Sequence, residues 1–173
     1  MKLFYKKYKR LCICSAIGFF AVCLAGVLLH FTYGWTNQNY IVGLFSPVNE
    51  STWEHMKLIY FPMLIFFMIE YVFLYRSMPR LFRADIIGIL TGTLLIPVIF
   101  YTSLGILGAH YLALDILIFI ICAAVGFYAR GRSLLLPGRK KYTFFYFLCT
   151  LALGVCFLIF TYYPPSISLF AAP

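Results

Sequence analysis

From Leu11 to Tyr33 the chain carries no Asp, Glu, Lys or Arg. In apolar surroundings a stretch like this must satisfy its own backbone N–H and C=O groups, and a helix does so within a single segment. Four more predominantly apolar stretches follow, at about 57–75, 85–104, 109–129 and 142–162. Each approaches the ~20 residues that a helix needs to cross a bilayer. Of the 173 residues 64% are hydrophobic and 11% charged, with a mean hydropathy of +0.94. Soluble domains are nearer half apolar and a quarter charged. The expected fold is an all-α polytopic membrane protein, a five-helix transmembrane bundle forming one domain over residues 1–173.

The basic residues orient that bundle. Lys2, Lys6, Lys7, Lys9 and Arg10 precede the first span. Arg76, Arg80 and Arg83 lie between the second and third, and Arg130, Arg132, Arg139, Lys140 and Lys141 between the fourth and fifth. Together they are 13 of the 14 basic residues, and five alternating spans put all three groups on one side. The positive-inside rule makes that side cytoplasmic. The N-terminus is then inside and the C-terminus outside, and residues of about 34–56 form the one substantial outer loop with a helix lead-in. Four or six spans would scatter these charges. The leading "MKLFYKKYKR" resembles a signal-peptide start, but the apolar run after it is too long for a cleaved leader, so it is read as a retained first helix.

Other function classes lose ground on the same pattern. The net charge of +9 comes in short clusters between spans, where it sets topology and meets anionic headgroups. No nucleic-acid partner is expected. The six cysteines lie within or beside apolar spans and form no C-x-x-C pair, so they read as small hydrophobes rather than a disulfide or zinc framework. Gly88 and Gly92 in the third span have G-x-x-x-G spacing, which suits close packing inside the bundle.

One stretch breaks the monotony. "LFSPVNESTWEHMKLIYFP", Leu44 to Pro62, gathers Asn49, Glu50, Trp53, Glu54, His55 and Lys57 beside the second span. Ser46 followed by Pro47 predicts a helix start. Helix phase then puts Glu50 and Glu54 on one stripe at i,i+4, with His55 about 100° away from Glu54. Capping, an i,i+3 pairing of Glu54 with Lys57 and an aromatic belt account for much of this composition. They leave unexplained why all three histidines of the chain, His30, His55 and His110, fall on the same outer side, together with Asp115. Glu50 and Glu54 are therefore the candidate catalytic carboxylates, as general base or ligand. His30, Glu50, Glu54, His55 and His110 are the candidate ligands of a divalent metal such as zinc. Asp115 and Glu70, carboxylates within spans, are functional candidates by default, and Asn49, Trp53 and Lys57 complete the set.

The segment "SPVNESTWEHMKL", with "LLH" before it and "YYPPSISLF" near the end, resembles a family of small bacterial integral membrane proteins known only as a domain of unknown function. The core of the likeness is Asn49, Glu50, Ser51, Trp53, Glu54 and His55. The resemblance implies a multi-pass protein of the bacterial cytoplasmic membrane, and no reaction. On the residues alone the leading expectation is a polar outer site for binding or hydrolytic chemistry on a small or lipid-linked ligand. A small transport component or solute carrier, with Asp115 and Glu70 marking a path, and an accessory membrane subunit without catalysis are the alternatives.

Overall fold

A computed structural model describes residues 2–74, 80–109, 111–136 and 140–172. Among these residues the fold is all helical. Five long helices, α1 (Lys2–Trp35), α3 (Thr52–Leu74), α4 (Leu81–Leu107), α5 (Leu112–Leu135) and α6 (Lys140–Phe160), each contain a segment long and apolar enough to cross a membrane. A single turn, α2 (Tyr40–Gly43), sits between α1 and α3, and a 3-10 turn at Ser168–Phe170 lies near the end. Such a set is compatible with a multi-pass membrane protein. So is the surface: Phe20, Val72, Phe73, Ile106 and Leu112 are among many large apolar side chains left exposed on the long helices, far beyond the scattered apolar residues of a water-soluble surface.

Side-chain pairs fix the helix directions. His30 near the end of α1 meets His55 near the start of α3, and Lys57 at the start of α3 meets Thr161 just beyond α6. Arg130 late in α5 reaches Asp85 early in α4, Glu70 late in α3 and Ser15 early in α1. Successive long helices therefore alternate in direction. One end of the bundle carries His30 and the other Arg130. Helix α3 is the hub, packing against α1, α4, α6 and the 3-10 turn. Its apolar window is 56% buried, against 11–33% for the other four.

Close approach of α4 and α5 depends on missing side chains. Gly88 and Gly92 face Gly126, where an added Cβ would lie 2.9 Å from the Gly88 carbonyl oxygen and 2.8 Å from Met63 Cε. The G-x-x-x-G pair thus serves packing within the chain. Gly108, at φ 70°, ends α4 in the left-handed region that glycine adopts without strain. Helix α5 runs to Leu135 rather than stopping near 129, so Arg130 is a buried helix residue and not a loop charge. Its counter-charges on α3 and α4 are what let it stay inside.

Gly126→Ala is expected to force α4 from α5 and cost roughly 1–3 kcal/mol. Gly105→Ala, with open space around it, should instead be neutral or stabilise by up to about 1 kcal/mol through helix propensity. Thermal unfolding of the two variants in detergent separates these outcomes.

Candidate functional site

At the His30 end, local chemistry places the helix start later than Ser46. Ser46 is buried and its hydroxyl donates to the Leu29 carbonyl at 2.5 Å, while the Tyr33 N–H donates to Ser46 Oγ. Ser46 thereby ties the loop to the end of α1. The side chain that caps α3 is Ser51, whose Oγ accepts from the Glu54 N–H at 3.4 Å. Asn49 shapes the approach, its Oδ1 accepting from the Ser51 N–H at 2.9 Å. Because α3 begins at Thr52, Glu50 lies outside it, and the expected shared stripe of Glu50 and Glu54 does not form.

Glu54 turns inward. It is 2% exposed, and its Oε2 accepts from Lys57 Nζ at 2.7 Å and from the Val48 N–H at 2.9 Å. Lys57 is completely buried. Its ammonium also donates to the Gly43 carbonyl at 3.1 Å and to Thr161 Oγ1 at 2.5 Å. Those three acceptors use all three ammonium donors. The pair holds Gly43 of α2 and loop residue Val48 against α3 and the end of α6. Trp53 closes the same region, with Phe157 at 4.7 Å and Phe170 of the 3-10 turn at 4.8 Å between ring centroids. The tail thus folds back over the start of α3.

Glu50 turns to the histidines. Its two carboxylate oxygens lie 3.3 Å from His55 Nε2 and 3.8 Å from His30 Nε2, and the imidazole centroids are 5.5 Å apart. One ligand atom from each of the three residues fits within a set spanning 4.8 Å. His55 Nδ1 is 2.9 Å from the Ser51 carbonyl oxygen. That oxygen can only accept, so Nδ1 carries a hydrogen. In a neutral ring Nε2 is then a lone-pair acceptor aimed at a carboxylate oxygen, another acceptor. A proton or a metal cation resolves that opposition. In a tetrahedral site with bonds of ~2.1 Å, ligand atoms are separated by about 3.4 Å; the three here lie within 4.8 Å of one another, so small side-chain movements would close them around an ion. The Glu50 side chain is 67% exposed and those of His30 and His55 are about a third exposed, so the face is open to a ligand.

The remaining candidates separate by position. Asp115 is half-buried in the first turn of α5, at the same end of the bundle. His110 lies outside the described residues. Glu70 is at the Arg130 end, paired with Arg130. Phase reasoning missed the Glu50–His55 pairing because it assumed one helix through both residues. It also missed Gly43 and Thr161 as partners of Lys57, since a backbone carbonyl and a threonine far along the chain carry no local signal.

Removing the Glu54 carboxylate strands a buried ammonium. Glu54→Gln is expected to cost on the order of 3–5 kcal/mol, and Glu54→Leu with Lys57→Met to recover most of that. Glu50→Gln, at an exposed position, should stay within about 0.5 kcal/mol. Equal losses for Glu54→Gln and Glu50→Gln in denaturant unfolding would contradict this division of roles.

A family model matches residues 3–172 and is described as a family of unknown function (DUF6512). No curated protein and no solved structure matches the chain.

Proposed function

The chain belongs to the DUF6512 family, whose description assigns no activity, and we propose from its side chains that it is a multi-pass membrane protein that binds a divalent metal such as zinc. In this reading His30 Nε2, His55 Nε2 and Glu50 hold the metal. The convergence of these three ligand atoms within 4.8 Å carries the proposal. The Ser51 carbonyl supports it by fixing the His55 tautomer with Nε2 free to ligate. Three protein ligands leave a coordination position for water or substrate. A zinc ion there would polarise a ligand oxygen or lower the pKa of bound water. Glu50 is exposed and His30 and His55 part-exposed at the end of an apolar bundle, which suits a small or lipid-linked ligand and binding or hydrolytic chemistry. Glu54 and Lys57 act as a positioning pair that holds the loop carrying Glu50.

The membrane is the bacterial cytoplasmic membrane in this proposal, with the His30 end outside and Arg80 and Arg83 inside. The basic clusters support that orientation. Gln38 and Arg80 are exposed at opposite ends. Gln38→Cys is expected to react with an impermeant maleimide on intact cells, and Arg80→Cys only after lysis. The reverse pattern overturns the orientation.

Metal analysis tests the site. The purified protein should take up about one zinc ion per chain, as one three-ligand site predicts. His55→Ala, His30→Ala and Glu50→Gln should each weaken zinc binding by more than the roughly 10–100-fold that an outer contact contributes. Glu54→Leu with Lys57→Met alters the pair that holds the loop but not the metal, and this variant should still bind zinc, weakened by no more than the roughly 10–100-fold of an outer contact. Absence of zinc uptake by the native protein, or uptake indifferent to His55 and Glu50, would remove the proposal.

A further inference from the structure

Two carboxylates share one arginine inside the other end of the bundle. Arg130 is completely buried on α5, with its guanidinium 4.6 Å from the centre of the Phe67 ring. Its Nε donates to Asp85 Oδ1 on α4 at 2.7 Å, one Nη donates to Glu70 Oε2 on α3, and the other to Ser15 Oγ on α1 at 3.1 Å. Glu70 is 6% and Asp85 5% exposed. Among the described residues, Arg130 is the cation paired with either carboxylate.

Among the described residues, the other groups around the site leave its charge unbalanced. On α1 the thiol of Cys14 lies beside Glu70, and Arg10, one turn earlier, is exposed. Arg83 on α4 donates from one Nη to the Ser133 and Leu136 carbonyl oxygens at the end of α5, at 2.5 Å each, and the ion pairs of Glu70 and Asp85 among the described residues are with Arg130 instead. Helix α6 meets α4 there through Phe147 against Phe82. With both carboxylates ionised the cluster would carry one uncompensated negative charge in surroundings of low polarity, which is costly. A second observation points the same way. Glu70 Oε1 is buried with no hydrogen-bond partner beyond the weak S–H donor that Cys14 offers Glu70, and a poorly satisfied carboxylate oxygen is far less tolerable there than a neutral carboxyl group.

We propose that Glu70 and Asp85, bridged by Arg130, form a proton-binding site that holds one shared proton at neutral pH. Binding the proton makes an O–H bond on one carboxylate and brings the cluster to neutrality; release restores the anion. Glu70, Asp85 and Arg130 lie four or five residues from their helix ends, or about 6–8 Å of helix rise. The proton therefore exchanges with water at the Arg130 end. This site is independent of the metal site at the His30 end.

Infrared spectroscopy of the full chain in lipid vesicles reads the proton directly. At neutral pH the native protein is expected to show a carboxylic-acid carbonyl band that converts to carboxylate on alkaline titration. Sharing makes a specific demand: Glu70→Gln and Asp85→Asn should each abolish the band, because either change leaves one carboxylate balanced by Arg130 and removes the need for the proton. Absence of the band from the native protein overturns the proposal without any variant. So does its loss in only one of the two variants, or its survival in both. A band that emerges only when sodium is replaced by choline also overturns it, in favour of a bound metal cation.

Discussion

A charge taken out of water must find its counter-charge within the protein, and this bundle is organised around two such requirements. Lys57 and Arg130 are completely buried. Neither is satisfied by its own helix alone. Lys57 draws on α3, the last residue of α2 and the hydroxyl of Thr161. Arg130 draws on α1, α3 and α4. In a bilayer, apolar packing between helices would be nearly as good in many registers, because lipid tails solvate leucine as well as another helix does. Buried polar pairs are good in only one. The two cations therefore supply registration that the greasy surfaces do not, and between them they join α1, α3, α4 and α5 and the residue that follows α6.

They also divide the molecule chemically. At the His30 end the buried pair sits beneath a part-exposed group of two imidazoles and a carboxylate. Its effect there is mechanical: Glu54 and Lys57 hold Val48 and Gly43, and so restrain the loop that presents Glu50. At the Arg130 end the ionisable groups themselves are the buried feature. Asp115, half-buried at the start of α5, belongs to the first end by position.

The long helices were legible because hydropathy is a one-dimensional property and backbone satisfaction in an apolar medium leaves little choice of structure. The group at the start of α3 was legible as a concentration of polar residues, but its internal arrangement was not. Ser46-Pro47 has the composition of a helix start, yet Ser46 finds better partners on α1, and Ser51 caps the helix instead. That shift of five residues turns Glu50 from a stripe-mate of Glu54 into a partner of His55. The fate of Arg130 was hidden for another reason. In a list of charges it looks like its neighbour Arg132, and only Asp85 and Glu70, 45 and 60 residues away, make it an interior residue.

The 104 residues between Lys57 and Thr161 impose an order of events. Synthesis runs from the N-terminus, so α3 is complete long before α6 exists. Until Thr161 arrives, the Lys57 ammonium lacks one of its three acceptors. Until Phe157 and Phe170 arrive, Trp53 lacks its ring neighbours. The start of α3 therefore gains its last contacts late although it is made early: Glu54 and Lys57 can already hold Val48 and Gly43, and Phe157, Thr161 and Phe170 then close the region. In the growing chain, the closing of this region waits for α6 and the turn beyond it.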